Sequence, residues 1–216
     1  MTATADPHRD QPVRYAGCDL EDAIAAVVLV HGRGARAEGM LELTTEIDHD
    51  DVAVVAPQAA RGTWYPQSFL APVESNEPHL SSALACLERV LETVSETVPL
   101  ERTIVGGFSQ GACLASEFVV RNPRRYGGVI AFSGGLIGPE GTSRDYEGSL
   151  SGTRAFFGCS DRDPHIPLER VRESVRTYEA LEADVTERIY EGMGHTVIPD
   201  ELEHFRSMVG DVRERA

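Results

Sequence analysis

The sequence predicts an α/β layer fold: a mostly parallel central sheet with helices on both faces. Three observations predict it. Short, near-continuous apolar runs recur along the chain, as in strands covered on both sides. Segments with helical periodicity separate them. Most of the runs end at glycine or proline, the residues that break regular structure. Strand and helix in alternation build a parallel sheet.

Residues 1–12 contain Asp6-Pro7 and Gln11-Pro12 and read as a frayed, flexible tail, which leaves 13–216 as one domain. The longest apolar stretch, 23–30, supplies the first strand at 24–30, ending at His31-Gly32. Residues 52–56 repeat the pattern and stop at Pro57; 103–107, 127–132 and 155–158 follow. Residues 185–190 alternate more and fit a strand nearer the edge. In 78–98, Leu80, Leu84, Leu87, Leu91 and Val94 recur at spacings of three and four, one apolar helix face, with Asn76 as its cap. Further helices are expected at 112–120, 168–181 and 199–209. Residues 57–76 hold the only Trp with Tyr65, Phe69 and three prolines. A loop of this length in a compact domain is often functional, so it is a candidate cleft wall.

With 216 residues the chain has room for such a core but little for a large lid. It carries 35 Asp+Glu against 20 basic residues, all Arg, for a net charge of −15. Such a surface repels nucleic acid and anionic membranes, so neither is an expected partner. Missing lysine fits a GC-rich genome; together with the charge it also fits a salt-adapted cytoplasm. No apolar run approaches the length of a membrane helix, and the N-terminus lacks a basic start and apolar stretch, so a cytoplasmic protein is expected. Cys18, Cys86, Cys113 and Cys159 have no metal-motif spacing; free thiols and no metal are expected.

The strongest local signal is Gly107-Phe108-Ser109-Gln110-Gly111, between a predicted strand and a predicted helix. A G-x-S-x-G in that setting forms a sharp turn that lifts the serine above the sheet. Serine is a weak nucleophile and needs a base, which needs an orienting acid. Downstream lie His165, His195 and His204. His195, in a glycine-rich loop after strand 185–190, falls at the same sheet edge as Ser109. His204 lies inside a helix pattern, and His165 follows the acid loop and fits a site-lining role. Asp161 and Asp163 both compete for the acid, with Asp163, ahead of Pro164, preferred. For the oxyanion, the expected donors are the backbone N–H of Gln110 and that of Arg33 in His31-Gly32-Arg33-Gly34. Trp64, Tyr65, Phe69, Leu136 and Ile166 are candidates for an apolar acyl pocket. Cys113 is expected to pack inside its helix.

Taken together, HGRG at 31–34, APQA at 56–59, TWYPQSFLAP at 63–72, GFSQGA at 107–112, DPHIP at 163–167 and GMGHT at 192–196 resemble the phospholipase/carboxylesterase family of α/β-hydrolases. Acyl-protein thioesterases belong to that family. The resemblance covers about residues 24–208 and implies an α/β-hydrolase fold without a large lid. It implies Ser109 as nucleophile, His195 as base and Asp163 rather than Asp161 as acid. It also implies no cofactor and allows a homodimer. The TWYPQSF loop departs from the eukaryotic thioesterases, which points to a small acyl ester as substrate. Lysophospholipase or acyl thioesterase activity on the same triad is the alternative; more remote is a hydrolase-fold binding protein without catalysis.

Overall fold

The structure is a computed structural model and describes residues 6–46 and 50–215. Among the described residues seven strands form one sheet: β1 (Val13–Gly17), β2 (Ala25–Val30), β3 (Val52–Pro57), β4 (Thr103–Phe108), β5 (Gly128–Phe132), β6 (Arg154–Ser160) and β7 (Asp184–Tyr190). Their order is β1-β3-β2-β4-β5-β6-β7, and only β1 runs antiparallel to its neighbour. Five longer helices cover the faces: α1 (Ala37–Glu42), α2 (His79–Ser95), α3 (Gln110–Arg121), α4 (Leu168–Ala180) and α5 (Pro199–Glu214).

The apolar runs are continuous because both faces of the sheet are covered. In β2, Ala26, Val28 and Val30 join a core with Leu87, Val119, Phe157 and Tyr178 from the α2, α3 and α4 side. Ala25, Val27 and Leu29 point the other way, toward Met40 of α1 and Phe205 and Met208 of α5. Phe205 is fully buried, with its ring edge-on to Phe132. Truncating such a ring to alanine costs about 3–5 kcal/mol.

Several expectations need correction. β1 and α1 were not anticipated: VRYAG is a half-exposed edge strand and α1 is under two turns long, so neither carries a clear period. The frayed tail is contradicted over residues 6–12, since His8 is fully buried. Its N–H donates to Ser82 Oγ at 2.9 Å, its Nδ1 accepts the Ala60 N–H at 3.0 Å, and its Nε2–H therefore donates to Trp64 O at 2.9 Å. Residues 1–5 lie outside those described. Asn76 does not cap α2, whose N-cap is Pro78; its buried amide serves the neighbouring loop instead. The edge placement of 185–190 holds, as β7 ends the sheet.

Candidate active site

β4 enters a tight turn and α3 leaves it, with Ser109 between them at φ 55, ψ −121. That region is costly for a residue with a Cβ and persists only where surroundings enforce it. Here the Ser109 N–H donates to Phe132 O at 2.9 Å, and Ser109 O accepts the Cys113 N–H at 3.0 Å. A Cβ on Gly107 or Gly111 would collide with Val30 O, which explains glycine on both sides of the turn.

The loop between β7 and α5 brings His195 over Ser109, with Nε2 at 2.8 Å from Oγ. Nδ1 lies 2.7 Å from Asp163 Oδ2, a carboxylate that can only accept, so Nδ1 carries the hydrogen and Nε2 is free to accept from Ser109. Asp163 follows β6, and its side chain is fully buried. Burial pulls its carboxyl upward, but the His195 bond and the N–H groups of His165 (2.8 Å) and Ile166 (3.0 Å) outweigh it and hold the group below the usual carboxylate range. Asp161 takes another part: its Oδ1 accepts the Gly192 N–H at 2.9 Å, tying the acid loop to the loop that carries His195. The rings of Phe108 and His165 each lie 4.8 Å from that of His195.

A cleft of about 490 Å³ opens beside Ser109. Arg33 and Gln110 both line it, as do Tyr65, Phe69, Ile166 and His165. Trp64 and Leu136 do not line it. Trp64 is fully buried beneath the loop, its Nε1–H donating to His31 O at 2.9 Å. Leu136 is core: its N–H donates to Ser174 Oγ and its carbonyl accepts from Arg170. Cys113 packs in α3 as expected, fully buried behind the cleft wall, and burial pushes its thiol up to about 12, leaving it protonated near neutrality. His204 stacks on Phe156 at 4.5 Å, away from the site, as a packing histidine.

The aromatic loop is fastened by polar side chains that sequence reading did not single out for this purpose. The Gln110 amide accepts the Trp64 N–H at 3.0 Å and donates to Tyr65 O at 2.9 Å. Arg33 spreads its guanidinium over the carbonyls of Tyr65, Pro66 and Gln67 at 2.7–3.0 Å. Asn76 accepts the Gln67 N–H at 2.8 Å and donates to Ser68 O at 3.1 Å. The signal for this role is faint: the loop partners of Gln110 and Arg33 lie more than thirty positions away, and those of Asn76 only eight and nine.

A mostly parallel seven-stranded sheet, with the serine turn after β4 and the acid and histidine loops at the same edge, defines an α/β-hydrolase fold. The chain belongs to the phospholipase/carboxylesterase family, whose sequence profile matches residues 18–210. A phospholipase/carboxylesterase from Dyadobacter fermentans superposes with a TM-score of 0.88 at 39% identity, covering 97% of this chain and 98% of that one. Acyl-protein thioesterase 1 of Saccharomyces cerevisiae is 34% identical over 56% of this chain and 54% of its own length. The chain thus spans about half the length of that curated relative. The match to acyl-protein thioesterase 1 of Candida albicans is longer, 89% of this chain and 94% of the relative, at 25% identity.

Proposed function

We propose that the protein hydrolyses carboxylic esters through an acyl-enzyme on Ser109. The observation that carries this reading is the unbroken Ser109–His195–Asp163 chain, with links of 2.8 and 2.7 Å. Ser109 Oγ attacks the ester carbonyl carbon as its proton passes to His195 Nε2, and the carbonyl π pair moves onto oxygen. The N–H groups of Arg33 and Gln110 stabilise that oxyanion. Asp163 keeps the imidazole in the required tautomer and offsets its positive charge. Collapse breaks the bond to the alcohol oxygen, which takes the proton from His195. Water then attacks the acyl-serine, giving its proton to His195; collapse releases the carboxylic acid and returns a proton to Ser109.

Tyr65, Phe69 and Ile166 line the acyl side of the cleft in this reading, and the substrate is a small ester. A thioester is the second reading, favoured by the identity shared with the acyl-protein thioesterases. A reducing, cytoplasmic setting is supported by the four cysteines, all free thiols. Among the described residues, no helix is long and apolar enough to cross a membrane. Kinetics on Ser109→Ala test the reading: turnover of a short p-nitrophenyl ester is expected to drop about 10⁴-fold or more. Residual activity within tenfold of wild type rejects it.

A further inference from the structure

A second chamber of about 500 Å³ meets the first at His195. Its walls are apolar, formed by Ala35, Met40, Leu43, Phe108 and Val197. Ala35, Phe108 and His195 also line the first cleft, so the two spaces are continuous around the imidazole. Ser109, Arg33 and Gln110 line the first cleft and not the second. Gly32 also borders both spaces, so a group that passes His195 from the first cleft enters the second chamber away from Ser109, Arg33 and Gln110.

We infer that the second chamber binds the alcohol portion of the ester, an uncharged aryl or branched alkyl group, while the acyl chain occupies the first cleft. This rests on the serine-esterase reading above. The acyl group stays bonded to Ser109 after the first half-reaction, so its pocket must touch Ser109. The leaving oxygen must face His195 to be protonated, and whatever hangs from that oxygen continues past the imidazole. Charge at the rim narrows the class further. Glu38 and Glu42 border the chamber against Arg36, and Glu38 already engages Arg14 at 2.7 Å. Arg36 is the cation on this rim and its Nε stands 4.0 Å from Glu38, so the rim offers no unopposed cation to a phosphate-bearing or carboxylate-bearing alcohol.

Gly39 gives a direct test, because a side chain built there meets open space and its helix gains from losing glycine. Ethyl butyrate, benzyl butyrate and ethyl octanoate are compared in wild type, Gly39→Phe and, from another part of the wall, Leu43→Trp. Filling the chamber is expected to lower the benzyl-to-ethyl ratio of kcat/KM about tenfold in both variants, while the octanoate-to-butyrate ratio holds. A benzyl-to-ethyl ratio that does not move in either variant overturns the inference, as does a shift in the octanoate-to-butyrate ratio. Wild type that turns over none of the esters overturns the esterase reading itself, and this inference with it.

Discussion

The side-chain amide of Gln110 is bonded to the backbone of the aromatic loop, donating to Tyr65 O at 2.9 Å directly beside the serine turn. In the proposed mechanism one residue thus supplies a backbone N–H to the oxyanion while its side chain holds the cleft wall. Tyr65 O keeps a bond from Arg33 if Gln110 is truncated, but the buried Trp64 N–H loses its Gln110 acceptor. Gln110→Ala is expected to cost about 1–3 kcal/mol, a fall of roughly 5 °C in Tm by thermal melts. Because the backbone donor remains, KM is expected to rise more than kcat falls. A kcat loss of a hundredfold with unchanged KM would contradict the positioning role.

Glu201 makes stability fall between acid and neutral pH. It is fully buried in the first turn of α5; Oε2 accepts the Ile198 N–H at 3.0 Å, and Oε1 has no hydrogen-bond partner among the described residues. Burial, with a smaller push from Asp200, raises its carboxyl to about 7. A raised acid stabilises the fold while protonated, and that contribution is lost as pH rises through 7. Glu201→Gln keeps an acceptor for Ile198 and removes the charge. Thermal melts are expected to show it more stable than wild type by about 2 kcal/mol at pH 8.5, the gap closing by pH 5. An equal difference at both values would contradict this.

Two histidines around Trp64 contribute on the acid side, alongside lowered carboxyls such as that of Asp163. Their rings lie 5.3 Å (His8) and 5.1 Å (His31) from the indole. Each uses a ring nitrogen as acceptor, His8 for the Ala60 N–H and His31 for the Ala59 N–H, both at 3.0 Å. Burial lowers both below the ordinary 6.5. Their stabilising contribution is complete above about 6.5 and lost as pH falls toward the folded-state values. Since Trp64 is the only tryptophan, its emission reports on the surroundings of this pair. A red shift with falling Tm is expected between pH 6.5 and 4.5; constant emission over that window would count against it.

Salt is expected to stabilise the protein. At −15, carboxylates outnumber guanidinium groups and the folded surface repels itself. Screening by KCl relieves that repulsion. Tm is expected to climb by about 5 °C or more between 0.1 and 2 M KCl, roughly 1–2 kcal/mol for a chain of this size. A flat profile would assign the missing lysines to genome composition instead.

The parts of the fold legible in the sequence are those whose energetics are local or strongly patterned. β2, β3, β4 and β5 are buried on both faces, so their apolar runs stand out without knowledge of neighbours. Ser109 and His195 are legible because each sits in a glycine-marked turn just after a strand; the same pattern leaves Asp161 and Asp163 both open, and the resemblance to the family's D-P-x-x-P turn points to Asp163. β1 escaped notice because an exposed edge strand needs no apolar run, and α1 because six residues do not establish a period. The assignments of Trp64 and Leu136 to a pocket failed because an apolar residue near a site reads the same whether it lines the cleft or backs it. His8 and Gln110 act through partners 45–74 positions away, and no local pattern encodes such pairings.

The central claim is that Ser109 is the nucleophile, activated by His195. Reaction with a fluorophosphonate, followed by peptide mass spectrometry, tests it most directly, because the probe forms its bond to an activated serine. Stoichiometric modification confined to Ser109, abolished in His195→Ala, is the predicted result. No modification at Ser109, or equal labelling of the His195→Ala variant, would contradict it.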